Sequence, residues 1–179
     1  MNTSRILSAV RSTFVGVVFL SLGIQKGISA EGGTGSFTEI RVSAGSNLAV
    51  NGSGDYVMNL TDFVAEEGSK VTLKGKRGTK FVINVSGDFD IRRARIVLGG
   101  GLLPSDVVFN LTGTGTTVRQ ITGNSVFFGS LQVVGSQVTV SDSSVNGRRI
   151  RGVAQMGVAS GTTTARIKPP PKPRGPVSP

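Results

Sequence analysis

The chain has 179 residues with no Cys, His or Trp, and its formal net charge is +10. This length fits one domain with tails, and the lack of cysteine excludes a disulfide framework and a thiolate metal site. Residues 1–30 contribute +3, residues 31–142 carry ten basic and ten acidic side chains, and residues 143–179 contribute +7. The basic character therefore comes from the two ends, and the middle of the chain is neutral by count.

The first 30 residues have the pattern of a secretory signal peptide. Arg5 and Arg11 precede an apolar stretch at 14–24, and Ala30 is a small residue that fits a cleavage site. The apolar stretch is too short for a membrane span, which needs roughly 20 residues. The alternative is a buried core helix. We expect a secreted or cell-surface protein with no transmembrane segment after signal cleavage.

Residues 31–54 are predicted to hold a linker and N-terminal strands. Residues 31–37 consist mainly of Gly, Ser and Thr, a composition typical of a linker. Residues 38–50 predict one or two short strands, with Gly45 and Gly52 marking turns.

Three segments of the chain are near copies of one another: residues 56–61 (YVMNLT), 81–86 (FVINVS) and 107–112 (VVFNLT). The steps between them are 25 and 26 residues, and a period of this length predicts stacked supersecondary units. Each copy is a run of β-prone residues. Residues 55–152 are therefore predicted to form an all-β, parallel β-solenoid (β-helix) of roughly three to five coils. A helix alongside would have to be short, and a β-sandwich is the alternative fold.

Alternation along the copies assigns an inner and an outer face. The first, third and fifth residues of every copy are apolar and are predicted to point inward: Tyr56, Met58, Leu60, Phe81, Ile83, Val85, Val107, Phe109 and Leu111. The outer face repeats Val, Asn and Thr or Ser in fixed order, and its polar rows form a candidate binding ladder: Asn59, Thr61, Asn84, Ser86, Asn110 and Thr112. We expect these rows to pack structurally as same-face neighbours. Ordering water, binding ice or contacting a glycan are the alternatives, and the Val row indicates a cover.

Other apolar segments continue the same pattern along the chain. Residues 71–73 and 96–98 repeat at a spacing of 25 residues and predict a second strand in each coil. The pattern then weakens, as expected where a solenoid ends in a cap. The later segments, with a turn or last coil at the end, are residues 126–128, 131–134, 138–140 and 145–147.

Four segments resemble the choice-of-anchor A domain of secreted bacterial proteins: residues 81–89, 103–113, 124–131 and 138–147. That domain is similar in turn to bacterial ice-binding proteins, which form a right-handed β-solenoid with a helix alongside. The resemblance implies a surface or extracellular module with a variable C-terminal anchor. It implies no catalytic residues.

Asp88 and Asp90 are the candidate catalytic carboxylates, with Arg92, Arg93 and Arg95 close behind them. A lyase-like site needs clustered carboxylates for a cation and a base that abstracts a proton. With two clustered acids and no His, we expect a charge-paired strand edge and a non-enzymatic protein without cofactor or metal. The expected function is a secreted or cell-surface structural and adhesive module. Ice or glycan binding is the first alternative, and a carbohydrate-active β-helix enzyme is the second.

The C-terminal residues 153–179 are predicted to be a basic, Pro-rich, disordered tail. Its cations could contact an envelope polysaccharide or another anionic surface polymer. No aromatic residue follows Phe128, so nucleic-acid binding is not expected. A solvated linker is the alternative interpretation. The candidate contacts to an anionic polymer are Arg148, Arg149 and Arg151, just before this tail, and Lys168, Lys172 and Arg174 within it.

Overall fold

The computed structural model describes residues 15–20, 25–113, 117–134, 137–147 and 150–151. Within these ranges the chain is almost entirely β-strand, with one short 3-10 turn. In chain order the elements are β1 (Val15–Leu20), β2 (Gln25–Val42), β3 (Asn47–Ala65), β4 (Lys70–Gly75), β5 (Lys80–Val85), β6 (Phe89–Arg92), β7 (Arg95–Gly99), the 3-10 turn (Pro104–Asp106), β8 (Val107–Leu111), β9 (Arg119–Thr122), β10 (Val126–Phe128), β11 (Ser130–Val133), β12 (Thr139–Val140), β13 (Ser144–Asn146) and β14 (Ile150–Arg151).

The strand pairing identifies the fold. Residues 47–52 of β3 pair with β4, residues 55–60 pair with β5, and residues 63–65 pair with β6, all in parallel. A strand that meets three partners along its length must bend around a coil. The structure is therefore a parallel β-solenoid of about four turns, which confirms the predicted fold. The β-sandwich alternative is wrong, because a sandwich pairs its strands antiparallel.

Three parallel sheets form the walls of the solenoid. The first sheet contains the N-terminal thirds of β2 and β3, followed by β4, β7, β10 and β13. The second contains the middle thirds of β2 and β3, followed by β5, β8, β11 and β14. The third contains their C-terminal thirds, followed by β6, β9 and β12.

The core lies inside the coils and is built from the residues that alternation assigned to the inner face. All nine inward residues of the three repeat copies are at most 8% exposed. At the centre, Phe63, Phe89, Phe109 and Phe127 form a chain of ring contacts with centroids between 5.1 and 6.1 Å apart. Edge-to-face and offset aromatic contacts of this kind add to the free energy gained by burying the rings.

A column of small residues fills the corner where the third sheet turns into the first. Ser46, Ser69, Ala94, Ser125 and Ser143 occupy this corner in successive coils, and all are buried. The hydroxyl of Ser125 donates to a backbone carbonyl 2.6 Å away and accepts from the Ala94 N–H at 3.1 Å. Backbone N–H groups of the following strands bond to the carbonyls of the coil below. This column was not predicted from the sequence, although Gly-Ser recurs before β3 and β4.

The N-terminal part of the solenoid differs from the prediction. The prediction of a linker at 31–37 is wrong, because residues 33–37 belong to β2 and pair with β3. Backbone hydrogen bonds build this ladder, so short Gly, Ser and Thr side chains do not prevent it. The solenoid consequently begins before residue 55. Val15–Leu20 forms β1 and pairs with residues 36–42, so the core-helix alternative is also wrong.

The two ends of the chain lie partly outside the described residues. Outside the described residues lie 1–14 and 21–24 of the predicted signal and the predicted tail at 153–179. β13 pairs in register with β10, so residues 145 and 146 of the predicted turn or last coil form a strand that continues the stack. No helix within the described residues has the length and apolarity that a bilayer crossing requires.

Candidate functional site

The outer face of the second sheet carries the predicted asparagine row. Asn59, Asn84 and Asn110 are direct register partners on β3, β5 and β8. The Asn84 side-chain N–H donates to Asn59 Oδ1 at 2.7 Å, and the Asn110 side-chain N–H donates to Asn84 Oδ1 at 2.9 Å. All three side chains are half-buried. The row is thus a hydrogen-bonded ladder that links three coils along the axis.

The hydroxyl row beside the asparagines is more accessible. Thr61, Ser86 and Thr112 are exposed. Ser86 Oγ donates to the carbonyl of Leu60 at 3.2 Å, one coil below. Backbone bonds Ser86 N–H to Leu60 O and Thr112 N–H to Val85 O continue the ladder past the strand ends. This row therefore presents aligned hydroxyls to the surroundings.

The valine row on the other side of the ladder is half-buried. Val108 is the register partner of Ser130, whose hydroxyl donates to the carbonyl of Pro104 at 3.1 Å. The 3-10 turn Pro104–Asp106 therefore lies beside this end of the face. It contacts β8 and β11, while the hydroxyl row stays open.

The candidate carboxylates Asp88 and Asp90 brace adjacent coils. Asp88 Oδ1 accepts from the backbone N–H of Val118 at 2.8 Å. Asp90 is 8% exposed, accepts from Gln120 Nε2 at 3.0 Å and forms an ion pair with Arg92 at 3.0 Å. Their oxygens thus stabilise the third sheet through backbone and side-chain contacts.

The arginines that follow these acids in sequence are separated in space. Arg93 pairs with Glu67 at 3.0 Å at the corner between the third and first sheets. Arg95 belongs to β7 of the first sheet and is exposed. The predicted charge pairing of the strand edge is observed for Asp90 with Arg92. The five-residue cluster of the sequence does not converge on one site.

An open groove of about 590 Å³ runs along that corner. Its lining includes Glu66, Glu67, Arg92, Arg93 and Asp142. Positive and negative side chains neutralise one another here. Among the described residues, no group of three or more side chains is arranged to hold a metal ion.

Arg41 completes the ion-pair network at this corner. It contacts Glu39 at 2.7 Å and Glu66 at 3.1 Å. Burial lowers the pKa of Arg41, but hydrogen bonds and charge interactions with both glutamates outweigh it, so the pKa is raised. The pair to Glu66 joins two coils and adds to the bracing role of charges on this side.

Arg119, at the start of β9, is a buried charged residue that no sequence pattern revealed. It is 4% exposed and is the register partner of Phe89, whose ring points into the core. Burial lowers the pKa of Arg119, and the negative charge of Asp88 opposes this effect. Guanidinium groups remain protonated in proteins, so this coil carries a cation where the coils below carry apolar side chains.

The predicted cationic contacts near the C-terminus are largely outside the described residues. Arg151 lies in β14, where its backbone is the register partner of Gln132. The other five predicted contacts lie outside the described residues: Arg148, Arg149, Lys168, Lys172 and Arg174.

No family model matches this chain. No curated protein and no solved structure matches it either. The resemblance to the choice-of-anchor A domain consequently stays a prediction.

Proposed function

We propose that this protein is a non-enzymatic structural and adhesive module that works outside the cytoplasm or at the cell surface. The observation that supports the proposal is the register of its outer rows. Asn59, Asn84 and Asn110 repeat one side-chain type along the axis at the interstrand distance of about 4.8 Å. A surface with a fixed repeat suits a partner that is itself a repeating polymer.

The parallel stack also suits a structural role. Each coil is tied to the next by backbone ladders, by the asparagine ladder and by ion pairs such as Arg41 with Glu66. Neighbour-to-neighbour contacts of this kind make a solenoid stiff along its axis. Rigid presentation lowers the entropic cost of ordering a binding surface.

Retention on glycans tests the adhesive role. The full chain would be passed over immobilised polygalacturonate, an acidic glycan, and over cellulose, a neutral glycan. Saturable retention on either polymer supports the proposal. Failure to bind both glycans and intact envelope preparations would refute it.

Export is the second part of the proposal and rests on the sequence pattern of residues 1–30. Cleavage before Glu31 would remove β1 and the start of β2, leaving residues 33–42 paired with β3. N-terminal sequencing of protein recovered outside the cytoplasm is expected to begin at Glu31. An uncleaved protein confined to the cytosol would overturn this part.

Ice or neutral-glycan binding through the second sheet is the other candidate function. It is favoured by the exposed, aligned hydroxyls of Thr61, Ser86 and Thr112. Inhibition of ice recrystallisation, lost in a Thr61→Lys, Thr112→Lys variant, would support it. The matched control is Thr72→Lys, Ser144→Lys, which adds the same two charges to the first sheet. No inhibition by the unaltered protein would exclude ice binding.

The alternative that this protein is an enzyme is tested by replacing its two candidate carboxylates. The Asp88→Asn and Asp90→Asn variants, assayed against polyuronates and neutral glycans, are expected to match the unaltered protein in showing no turnover. Polymer cleavage that is lost in either variant, while circular dichroism stays unchanged, would overturn the non-enzymatic proposal.

A further inference from the structure

The neutral middle of the chain is divided by charge between its faces. Arg41, Arg92 and Arg93 pair with acids on the third sheet or its corner, and Arg119 is buried. By contrast, the first sheet turns its cations outward without pairing them. A count of charges along the sequence adds the two sides together, so the separation of paired and unpaired cations appears only when the coils are stacked.

The basic face is the outer surface of the first sheet around Lys70, Lys74 and Arg95. All three side chains are exposed, and within the described residues none forms an ion pair. Lys76 and Arg77 extend it into the adjoining turn and are also exposed. The outward positions of this sheet in β3, β4, β7, β10 and β13 carry no acid.

The cations of the basic face follow the axis of the stack. Lys70 and Arg95 are direct register partners on neighbouring strands, so two cationic side chains leave the sheet about one interstrand distance apart. Such a pair repels and weakens the sheet. Lys74 is in register with Gly99, and a side chain at Gly99 would meet the Lys74 stem at 3.3 Å. The Lys74 stem thus lies against the next rung, where glycine leaves room for it.

We propose that the basic face binds a linear acidic polysaccharide, with its carboxylate groups against Lys70, Lys74 and Arg95. This inference rests on the proposed adhesive function and names its ligand class and surface. Charge complementarity identifies the ligand, because a polyanion relieves the repulsion that the uncompensated cations impose on one another. Phe128 stands on the same face, half-buried, and offers apolar surface to the C–H groups of a sugar ring.

A nucleic acid is the competing polyanion, and the face suits it less well. Proteins that bind single strands stack successive bases on several aromatic side chains. Among the outward positions of the described first sheet, Phe128 is the one aromatic residue.

Two triple variants of the full chain test the proposal, since each removes three positive charges. The face variant is Lys70→Gln, Lys74→Gln, Arg95→Gln, and the matched tail variant is Lys168→Gln, Lys172→Gln, Arg174→Gln. Affinities for polygalacturonate, cellulose and a single-stranded oligonucleotide would be measured at low salt. Thermal unfolding would confirm that both variants fold.

We expect the unaltered protein and the tail variant to bind polygalacturonate equally. The face variant should lose at least tenfold in affinity, and added salt should weaken the binding because it screens exposed charges. A loss of affinity for polygalacturonate in the tail variant, with unchanged affinity in the face variant, would overturn the proposal. Equal losses in both, or tighter binding to the oligonucleotide than to polygalacturonate, would overturn it as well.

The outcomes also separate this inference from the adhesive function on which it rests. Binding to cellulose alone would leave the adhesive function standing and refute the acidic ligand. Binding to neither glycan nor to envelope preparations would refute both.

Discussion

The side-chain amide of Asn84 donates to Asn59 Oδ1 at 2.7 Å and joins two coils at the same outward position. Asn110 extends the bond by one coil at 2.9 Å. Asn84 is thus the central member and takes part in both bonds. The ladder holds three coils in register and so fixes the repeat of the neighbouring outer rows.

Replacing the central asparagine is predicted to destabilise the stack. Asn84→Ala leaves the half-buried amides of Asn59 and Asn110 without their shared partner and should lower the free energy of unfolding by about 1–3 kcal/mol. The control is Thr112→Ala, an exposed position on the same sheet, where a change within about 0.5 kcal/mol is expected. Urea denaturation measures both. Equal stabilities for the two variants would show that the ladder is not structural.

Two adjacent phenylalanines are expected to differ in how much they contribute to the free energy of unfolding. Phe127 is fully buried and touches Phe89 and Phe109, whereas Phe128 points outward and is half-buried. Phe127→Ala should cost about 3–5 kcal/mol because it opens a cavity in the aromatic column. Phe128→Ala should cost about 1 kcal/mol. A larger loss for Phe128→Ala in chemical denaturation would contradict the inward and outward assignment of β10.

The single tyrosine provides a pH probe of the core. Burial raises the pKa of Tyr56, which is 8% exposed with its ring against Phe81. The folded state therefore holds the phenol proton more tightly than the unfolded state, whose pKa is about 10. This contribution to stability is present below that pH and is lost as pH rises through the folded pKa.

Ultraviolet absorbance of the phenolate measures the titration directly. We expect Tyr56 to ionise at higher pH in the folded protein than in denaturant. Tyr56→Phe should remove the corresponding part of the alkaline destabilisation. Ionisation at the same pH in folded and denatured protein would contradict burial of this ring.

The like-charge pair on the basic face predicts a stabilising substitution. Lys70→Gln should raise the free energy of unfolding by a few tenths of a kcal/mol, up to about 1 kcal/mol, at low salt. The gain should shrink in high salt, where the repulsion is screened. Arg93→Gln breaks an exposed pair with Glu67 and should lower stability by about 0–1 kcal/mol. A loss in Lys70→Gln comparable with that in Arg93→Gln would contradict the repulsion.

The second sheet was the part of the fold that sequence could predict. Apolar and outward-facing residues alternate over six residues in each of three copies. Inner residues such as Ile83 and outer residues such as Asn84 can therefore be assigned to opposite faces from the alternation alone. The first sheet was predicted in part, because residues 71–73 and 96–98 repeat at the same period and are in register. Both predictions rely on strands long enough to show alternation.

The remaining features have no local signal of that kind. Strands of the third sheet such as β6 and β9 are four residues long, and Arg119 takes the place of an apolar residue in one of them. In β2, Gly, Ser and Thr satisfy the ladder through their backbone, so composition suggests a linker where a strand exists. The basic face arises only when Lys70 and Arg95, 25 residues apart, are stacked on neighbouring coils.

Lysine labelling tests the central claim, that the basic face of the first sheet binds an acidic polysaccharide, most directly. The full chain would be acetylated with and without polygalacturonate, and modification at each lysine would be read by mass spectrometry. The account predicts that the polymer protects Lys70 and Lys74 and leaves Lys168 and Lys172 as reactive as before. Protection of the tail lysines with unchanged labelling of Lys70 and Lys74 would contradict it.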